Sequence, residues 1–166
     1  MLNLRTVPFG SPEEFNVLIE IPQGSQNKYE FDEKHEAIRL DFVLSGGLTW
    51  PANYGSVVGT LGGDGDMLDV FVFSSNPVYP GVLVACKPFG MIEVIDRGET
   101  DNKILAVAVV DPRSKYLNDL EDLPEEEVRQ FEDFLAELAQ QKNKIMEIKG
   151  FHGRQRALEE LKKSVI

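Results

Sequence analysis

The sequence predicts a mainly β chain of the α+β class, in which a small barrel or sandwich of short strands precedes two helices. Eight short runs rich in β-branched or aromatic residues fill its first two thirds, and Gly, Pro, Asn and Asp separate them. The last third instead carries apolar residues at helical spacing. No repeat or linker interrupts the 166 residues, so we expect a single domain over 1–166.

Each strand is predicted from a run of strand-forming residues bounded by turn residues. In chain order these runs are Phe15–Ile21, Lys28–Phe31, Ile38–Val43, Ser56–Thr60, Leu68–Phe73, Val82–Cys86, Met91–Ile95 and Ile104–Val110. So many short strands at close spacing favour a closed or two-layered β structure over a parallel sheet.

Two helices are predicted after the strands. The first begins at Asp122-Leu-Pro124, where a capping acid, an early proline and three following glutamates suit the positive end of a helix. Its apolar stripe runs over 128–138, and the second helix is predicted from about Arg154 to Val165. We expect both apolar stripes to pack on the strands.

The composition excludes several classes of function. The formal net charge of −11 argues against binding of nucleic acid, because that binding depends on Lys and Arg contacts to phosphates. No run is long and apolar enough to predict a membrane span, and the N-terminus lacks the apolar core of a signal peptide. The single cysteine, Cys86, lies in an apolar run and is predicted to be a buried thiol. We therefore expect a cytoplasmic protein.

Asp64-Gly65-Asp66-Met67-Leu68-Asp69 is the most informative stretch, because it places three carboxylates in six residues at the start of a strand. Carboxylates this close repel one another unless protons or cations neutralise them. Mg²⁺ prefers oxygen ligands of this kind. A solvated acidic turn is the alternative interpretation, and the motif alone does not decide between them.

Further acids occur in a connection between two predicted strands. Asp96 and Asp101 lie at its two ends, and Lys103 follows two residues after Asp101. If the strand begins at Asp101, the side chains of Asp101 and Lys103 share one face, because strand side chains alternate.

Acids and cations also lie in the earlier strands. Glu20 interrupts an apolar strand, and the sequence leaves open whether it faces water or is held inside. Lys28 and Glu30 are two residues apart and point the same way, and Tyr54 ends a turn-rich segment. Strands of a closed barrel bring distant residues to one mouth, where such a group could bind several Mg²⁺ ions and a small polyphosphate.

The chain resembles the family I soluble inorganic pyrophosphatases over nearly its whole length. The motifs that carry the resemblance are Ile19-Glu20-Ile21-Pro22, Lys28-Tyr29-Glu30, Pro51-Ala52-Asn53-Tyr54-Gly55, Asp64-Gly65-Asp66-Met67-Leu68-Asp69-Val70, Pro88-Phe89-Gly90, Asp96 with Asp101 and Lys103, and Asp122-Leu123-Pro124. The resemblance implies an OB-like, five-stranded closed barrel with two flanking helices. It also implies hydrolysis of pyrophosphate to two phosphates, dependence on Mg²⁺ with Mn²⁺ as a substitute, and assembly as a homo-oligomer, by family a hexamer.

The same resemblance assigns roles to individual residues. Its implied metal ligands are Asp64, Asp66, Asp69, Asp96, Asp101, Glu20 and Glu30. Asp64, Asp69 and Asp101 match positions that hold one metal directly, Asp96 joins further metals, and both glutamates act largely through waters. Asp66 also matches the carboxylate that helps to deprotonate the attacking water. The implied catalytic and substrate-contacting groups beside Asp66 are Lys28, Tyr54 and Lys103.

The chain departs from the family pattern in its phosphate-binding positions. Phe42 stands where the family has an arginine, Trp50 replaces a tyrosine, and 137–139 lacks the family's Tyr-Lys pair. Lys142 and Lys144 lie nearby and could substitute only with a shift of a turn or more.

Three functions therefore remain open from the sequence. The first is a working but divergent pyrophosphatase, and the second is a hydrolase of another phosphoanhydride or phosphate ester that uses the same metal cluster. The third is a metal-binding relative without catalysis that acts through protein contacts.

Overall fold

The computed structural model describes residues 3–166. The absence of a signal peptide was expected partly from Met1 and Leu2, which lie outside the described residues. Its strands are β1 (Phe15–Ile21), β2 (Asn27–Asp32), β3 (Ala37–Val43), β4 (Asn53–Val57), β5 (Asp69–Phe73), β6 (Leu83–Asp96), β7 (Glu99–Thr100), β8 (Lys103–Ala108) and β9 (Met146–Gly153). Its α-helices are α1 (Glu125–Gln141) and α2 (Arg154–Ser164), and short 3₁₀ helices cover Leu4–Thr6, Pro112–Ser114 and Leu120–Asp122.

Five strands form a closed ring in the order β1-β4-β5-β8-β6, and β6 pairs back with β1. The pairings are antiparallel except for β5 with β8, which run parallel. Closure removes the free edges that an open sheet would expose. The predicted five-stranded barrel with two helices is confirmed. The strands β2 and β3 form a separate antiparallel hairpin beside the ring.

The strand β6 replaces two strands that the sequence predicts separately. The segment 87–90 was expected to break the run because it contains Pro88 and Gly90. Instead the pairing with β8 shifts register between these two residues, and the strand continues. A bulge absorbs a residue that cannot donate a backbone hydrogen bond. A Cβ at Gly90 would lie 2.9 Å from the carbonyl oxygen of His152, so glycine permits the close approach of β9.

Other boundaries also differ from the prediction. The fourth strand begins at Asn53 and ends at Val57, ahead of the predicted Ser56–Thr60, and β9 was not predicted. Asp122 does not cap α1, whose N-cap is Pro124 without a side-chain bond. Asp122 and Asp119 instead form a capping box around the 3₁₀ helix before it. The second helix agrees with its predicted bounds to within one residue.

Side-chain alternation along the ring strands divides the core into two clusters, each with its own helix. On β5, Phe71 joins the cluster that contains Phe131 and Phe134 of α1, with rings of Phe71 and Phe131 packed edge to face. Val70, in contrast, joins the cluster that contains Leu161 of α2. Both apolar helix stripes therefore pack on the strands as predicted. Cys86 is fully buried in the second cluster.

None of the helices within residues 3–166 has both the length and the apolar character needed to cross a bilayer.

Candidate active site

A polar pocket of about 290 Å³ opens between the ring, the β2–β3 hairpin and the end of α1. Its charged lining consists of Glu20, Glu30, Glu33, Asp64, Asp66, Asp69, Asp101, Lys28, Lys103, Lys142 and Lys144. Nine of the ten residues that the sequence singled out line this pocket, although they come from distant parts of the chain. The tenth, Asp96, lies behind the wall and pairs with a lysine that does line it.

Close approach of β1 and β4 sets part of the wall. A Cβ at Gly55 would lie 1.9 Å from the carbonyl oxygen of Leu18, so only glycine fits between these strands. The residues on either side, Tyr54 and Ser56, both face the pocket beside Glu20. The motif around Tyr54 therefore requires glycine for packing and places two polar side chains in the site.

Lys103 is the centre of a buried charge cluster. Its Nζ donates hydrogen bonds to Asp69 Oδ2 at 2.8 Å, to Asp101 Oδ1 at 2.9 Å and to Tyr54 Oη at 3.1 Å. The hydroxyl of Tyr54 donates in turn to Asp69 Oδ2 at 2.5 Å. Asp101 precedes β8, which begins at Lys103, so the condition on which a shared strand face was expected is not met; the two side chains nevertheless form a direct ion pair.

Burial and pairing shift the pKa values in this cluster. Burial alone would raise the pKa of Asp69, but the charge and hydrogen bond of Lys103 outweigh it and lower that pKa. Burial raises the pKa of Asp101 to about 6, with Lys103 opposing and Asp69 reinforcing the shift. Burial would lower the pKa of Lys103, but the two aspartates raise it instead. Burial and both aspartates raise the pKa of the Tyr54 hydroxyl. Lys103 and Tyr54 therefore remain protonated donors at neutral pH.

The acidic turn, residues 64–69, contributes Asp64 and Asp66 to the pocket lining. Asp64 accepts a hydrogen bond from the backbone N–H of Asp66 at 3.1 Å, which holds the turn, and both side chains are exposed. Partial burial raises the pKa of Asp66, and repulsion from Asp64 and Asp69 adds to the shift. The turn is exposed to solvent, as the alternative interpretation expected. Its carboxylates also lie close enough to Asp69 of the Lys103 cluster to feel its charge.

Glu20 is held inside rather than on a wet face. Its carboxylate accepts hydrogen bonds from the backbone N–H of Phe31 at 2.8 Å and from the Ser56 hydroxyl at 3.2 Å. Burial raises its pKa to about 7, although the Phe31 N–H opposes the shift. A nearby cation would favour the ionised form of Glu20, because it would offset the cost of burying that charge.

The hairpin contributes Lys28 and Glu30, whose side chains form an ion pair, as expected from their shared face. Lys28 also donates to Asp41 Oδ2 at 2.9 Å across the hairpin. Asp41 was missed as a site residue, and the signal that could have found it is the register of β2 against β3. Ser56 was missed as well, since a lone serine in a strand carries no signal of its own.

Lys142 and Lys144 reach the pocket without any shift of the chain. The helix α1 ends at Gln141, so both lysines lie in the turn that follows it rather than on the helix face. Lys144 Nζ donates to Asp96 Oδ2 at 2.6 Å, whereas Asp96 Oδ1 is buried and has no hydrogen-bond partner among residues 3–166. Both lysines were expected to lie nearby and to need a shift of a turn or more, whereas the structure places them in the pocket lining as the chain stands.

Two of the positions that depart from the family pattern give the pocket apolar lining, and the third, Phe42, packs on the core instead. Leu138 lines the pocket where the resemblance expects the Tyr-Lys pair. Trp50 lines it too, and its ring lies 4.8 Å from that of Tyr54. Phe42 is half-buried against the α1 cluster, directly across the hairpin from Lys28.

The donor set fits a hard divalent cation in chemistry. Carboxylate oxygens dominate the lining, and the Oδ1 of Asp96 is buried without a hydrogen-bond partner among residues 3–166. Burial raises the pKa values of Glu20 and Asp101, and a bound cation would favour their ionised forms. Within residues 3–166, however, no three acidic, His or Cys side chains are already gathered closely enough to hold a metal ion. A cation would therefore have to draw the carboxylates together.

The chain is similar to known proteins in sequence and in fold. The sequence model of the inorganic pyrophosphatase family matches residues 17–166. The chain is 45% identical to the inorganic pyrophosphatase of Thermoplasma volcanium, over 97% of this chain and 96% of that protein. The crystal structure of inorganic pyrophosphatase from Thermus thermophilus superposes with a TM-score of 0.88 at 38% identity, covering 96% of this chain and 95% of that one.

A second crystal structure, an inorganic pyrophosphatase from Neisseria gonorrhoeae, gives a TM-score of 0.90 at 30% identity, covering 97% of this chain and 95% of that one. Both crystal structures resemble this chain over the ring of five strands. The ring therefore corresponds to the OB-like barrel of those proteins. The family match covers all ten residues that the sequence argument selected. On these grounds the chain belongs to the family I soluble inorganic pyrophosphatases.

Proposed function

We propose that this chain hydrolyses inorganic pyrophosphate to two phosphates with Mg²⁺ as its cofactor and Mn²⁺ as a possible substitute. The observation that carries the proposal is the convergence of the acidic turn, the Lys103 cluster and Lys28 on one pocket. Family membership supports the same reaction, since the relatives at 36–45% identity are named inorganic pyrophosphatases.

The carboxylates of the pocket would hold the metal ions. Asp64, Asp69 and Asp101 are proposed as direct ligands of one ion, with Asp66 and Asp96 as ligands of others and with Glu20 and Glu30 acting through water. When bound, Mg²⁺ supplies Lewis acidity, a more acidic water and neutralisation of the phosphate charge. The orphaned oxygen of Asp96 and the raised pKa of Glu20 support this assignment, because both sites gain from a nearby cation.

Asp66 is proposed to accept the proton of the attacking water. Its side chain is exposed on the open side of the pocket, where substrate and water enter. The raised pKa of Asp66 makes it a stronger base than an ordinary aspartate. Efficient proton transfer favours a base whose pKa is shifted toward the working pH.

Lys28, Tyr54 and Lys103 are proposed to bind phosphate oxygens. All three are donors that line the pocket, and two of them are kept protonated by the buried aspartates. Charged donors fixed in a desolvated site stabilise the negative charge that develops on a leaving phosphate. Their ion pairs with carboxylates would loosen as metal ions take over the negative charge.

The test is phosphate release from pyrophosphate by the purified protein, with Mg²⁺, with Mn²⁺ and with a chelator. We expect turnover with either metal and none with the chelator. Turnover that persists with the chelator would contradict metal dependence. Release of phosphate from a nucleotide or sugar phosphate, but not from pyrophosphate at saturating Mg²⁺, would favour the alternative hydrolase. Metal binding without release from any of these substrates would favour the non-catalytic relative.

We further propose a single-domain, cytoplasmic homo-oligomer, a hexamer by family resemblance. Several large apolar side chains are exposed on the single chain, among them Tyr79, Val110 and Ile145, and their burial between subunits would favour association. The mass of the purified protein by light scattering tests it, and a mass near 18.6 kDa would contradict it.

A further inference from the structure

Three lysines that lie near one another line the pocket. Lys28 comes from β2, and Lys142 and Lys144 come from the turn after α1. Their side chains are 13%, 21% and 12% exposed, so all three ammonium groups are largely withdrawn from water. Withdrawn ammonium groups need hydrogen-bond acceptors or counterions.

The three lysines differ in how well they are paired. Lys28 bonds to Glu30 and to Asp41, and Lys144 bonds to Asp96 at 2.6 Å. The Nζ of Lys142 lies 3.9 Å from Asp41 Oδ2, beyond hydrogen-bond distance, and Asp41 already accepts from Lys28. Within residues 3–166 the Lys142 ammonium donates no hydrogen bond, so its three donors are available in the pocket.

The surroundings of Lys142 favour an anion rather than another cation. Lys28 and Lys144 repel its charge, and burial together with this repulsion lowers its pKa. An anion with several oxygen acceptors would relieve both effects. The apolar side chain of Leu138, one helical turn earlier, excludes water from the same wall without offering an acceptor.

We propose that the ammonium group of Lys142 binds a phosphate oxygen of the substrate, so that Lys28 and Lys142 together hold the phosphate that faces away from the acidic turn. The proposal rests on pyrophosphate hydrolysis as the function of the pocket. Lys144 is fixed by Asp96 and acts as a positioning residue for that carboxylate. Lys142 lies in the turn after α1 and supplies a positive charge there. The helix itself has no positive charge at 137–139.

The test measures binding separately from turnover. Imidodiphosphate, a diphosphate that resists hydrolysis, is titrated into wild type, Lys142→Gln and Lys142→Arg in saturating Mg²⁺ by calorimetry. Lys149→Gln is the matched control, because Lys149 pairs with Glu147 on β9 and does not line the pocket. We expect Lys142→Gln to raise Kd about tenfold or more, the effect of losing one charged hydrogen bond. Lys142→Arg should stay within about threefold of wild type, and Lys149→Gln should not change Kd.

Two further readouts separate a substrate contact from a structural effect. Lys142→Gln should raise KM for pyrophosphate, whereas the increase in melting temperature caused by Mg²⁺ alone should equal that of wild type. An unchanged Kd and KM in Lys142→Gln would overturn the proposal, as would an equal loss in Lys142→Arg. If wild type binds imidodiphosphate through Lys142 but releases no phosphate from pyrophosphate, the hydrolytic function fails while the binding role of Lys142 stands. If wild type does not bind imidodiphosphate, the binding role fails as well.

Discussion

Lys103 and Asp69 are register neighbours on the parallel strands β8 and β5, and Lys103 Nζ donates to Asp69 Oδ2 at 2.8 Å. The pairing of β5 with β8 is the one parallel strand pair of the ring within residues 3–166. It lets Lys103 form ion pairs with Asp69 and Asp101, which lie 32 residues apart in the chain. A buried charge cluster of this kind depends on every partner, because each remaining charge would otherwise be desolvated without compensation.

Lys103→Met should therefore destabilise the metal-free protein. The variant leaves Asp69 and Asp101 facing each other without a cation, and loss of one partner of a buried pair costs about 3–5 kcal/mol of unfolding free energy. Urea unfolding with a chelator present measures the loss. Lys149→Met removes an exposed pair with Glu147 and should cost less than about 1 kcal/mol. Equal losses in the two variants would show that the Lys103 cluster contributes no more than a surface pair.

The raised pKa of Glu20 predicts a pH dependence of the metal-free protein. The folded protein keeps the Glu20 proton up to about pH 7, whereas the unfolded chain loses it near its ordinary value of 4.5. Glu20 therefore favours folding most below pH 4.5, and this contribution is lost as pH rises through 7. Glu20→Gln stays neutral, so the wild type should lose on the order of 3 kcal/mol relative to the variant between pH 4.5 and 7.5. The measurement is the unfolding free energy of wild type and of Glu20→Gln as a function of pH. An equal change with pH in the two proteins would contradict a buried, protonated Glu20.

Asp66→Asn should reduce phosphate release from pyrophosphate by about 10²–10⁴, the usual contribution of a general base. The substitution removes the base and one proposed metal ligand while keeping the shape of the side chain. Steady-state turnover in saturating Mg²⁺ measures the effect. Asp133→Asn, an exposed residue of α1 that does not line the pocket, is the control and should retain wild-type turnover. Retained turnover in Asp66→Asn would exclude Asp66 as the base.

Metal binding should appear as a shift in melting temperature. An ion that binds only the folded state stabilises it by about 2.7 kcal/mol at a hundredfold excess over Kd. Millimolar Mg²⁺ or Mn²⁺ should raise the melting temperature of wild type, and Asp64→Asn or Asp69→Asn should blunt that rise. The comparison is the metal-induced shift within each variant at matched ionic strength, because removal of one carboxylate can itself stabilise the metal-free cluster. Asp133→Asn is again the control. If metal raises the melting temperatures of Asp64→Asn and Asp69→Asn as much as that of Asp133→Asn, these acids do not form one metal site.

Phe42→Arg tests whether the missing family arginine limits the reaction. Phe42 lies directly across the hairpin from Lys28, so an arginine there could form a bidentate contact with the same phosphate. We expect kcat/KM for pyrophosphate to rise about tenfold for one charged contact. Phe42→Leu keeps the apolar packing against the α1 cluster and should leave kcat/KM unchanged. If Phe42→Arg folds but is inactive, the apolar side chain at this position is needed. The pocket would then be built for a substrate other than pyrophosphate.

Local patterns in the sequence were sufficient for several features of the fold. The strand at Phe15–Ile21 was predicted residue for residue, and the second helix to within one residue. Period-two alternation placed Lys28 beside Glu30 on β2, and the two side chains form an ion pair. These predictions depend only on neighbours within a few residues, where backbone geometry fixes which side chains share a face.

Predictions were wrong where the local pattern did not show which hydrogen bonds would form. Pro88 and Gly90 indicated a break, but the distant strands β8 and β9 pair with β6 across register shifts and keep it continuous. The capping acid Asp122 was assigned to α1, but it accepts hydrogen bonds from the backbone N–H groups of Asn118 and Asp119 instead. In that case a competing local hydrogen bond outweighs the predicted cap.

The motifs of the chain were enough to identify the chemical groups of the candidate site, because carboxylates, lysines and a tyrosine are visible in the sequence. Where those groups meet depends on the folded chain. Closure of the ring brings Asp69 and Lys103 into register, burial of Glu20 beside β2 and β4 raises its pKa, and the end of α1 at Gln141 places Lys142 in the pocket. Burial and convergence depend on contacts between residues far apart in the chain, and no local pattern records them.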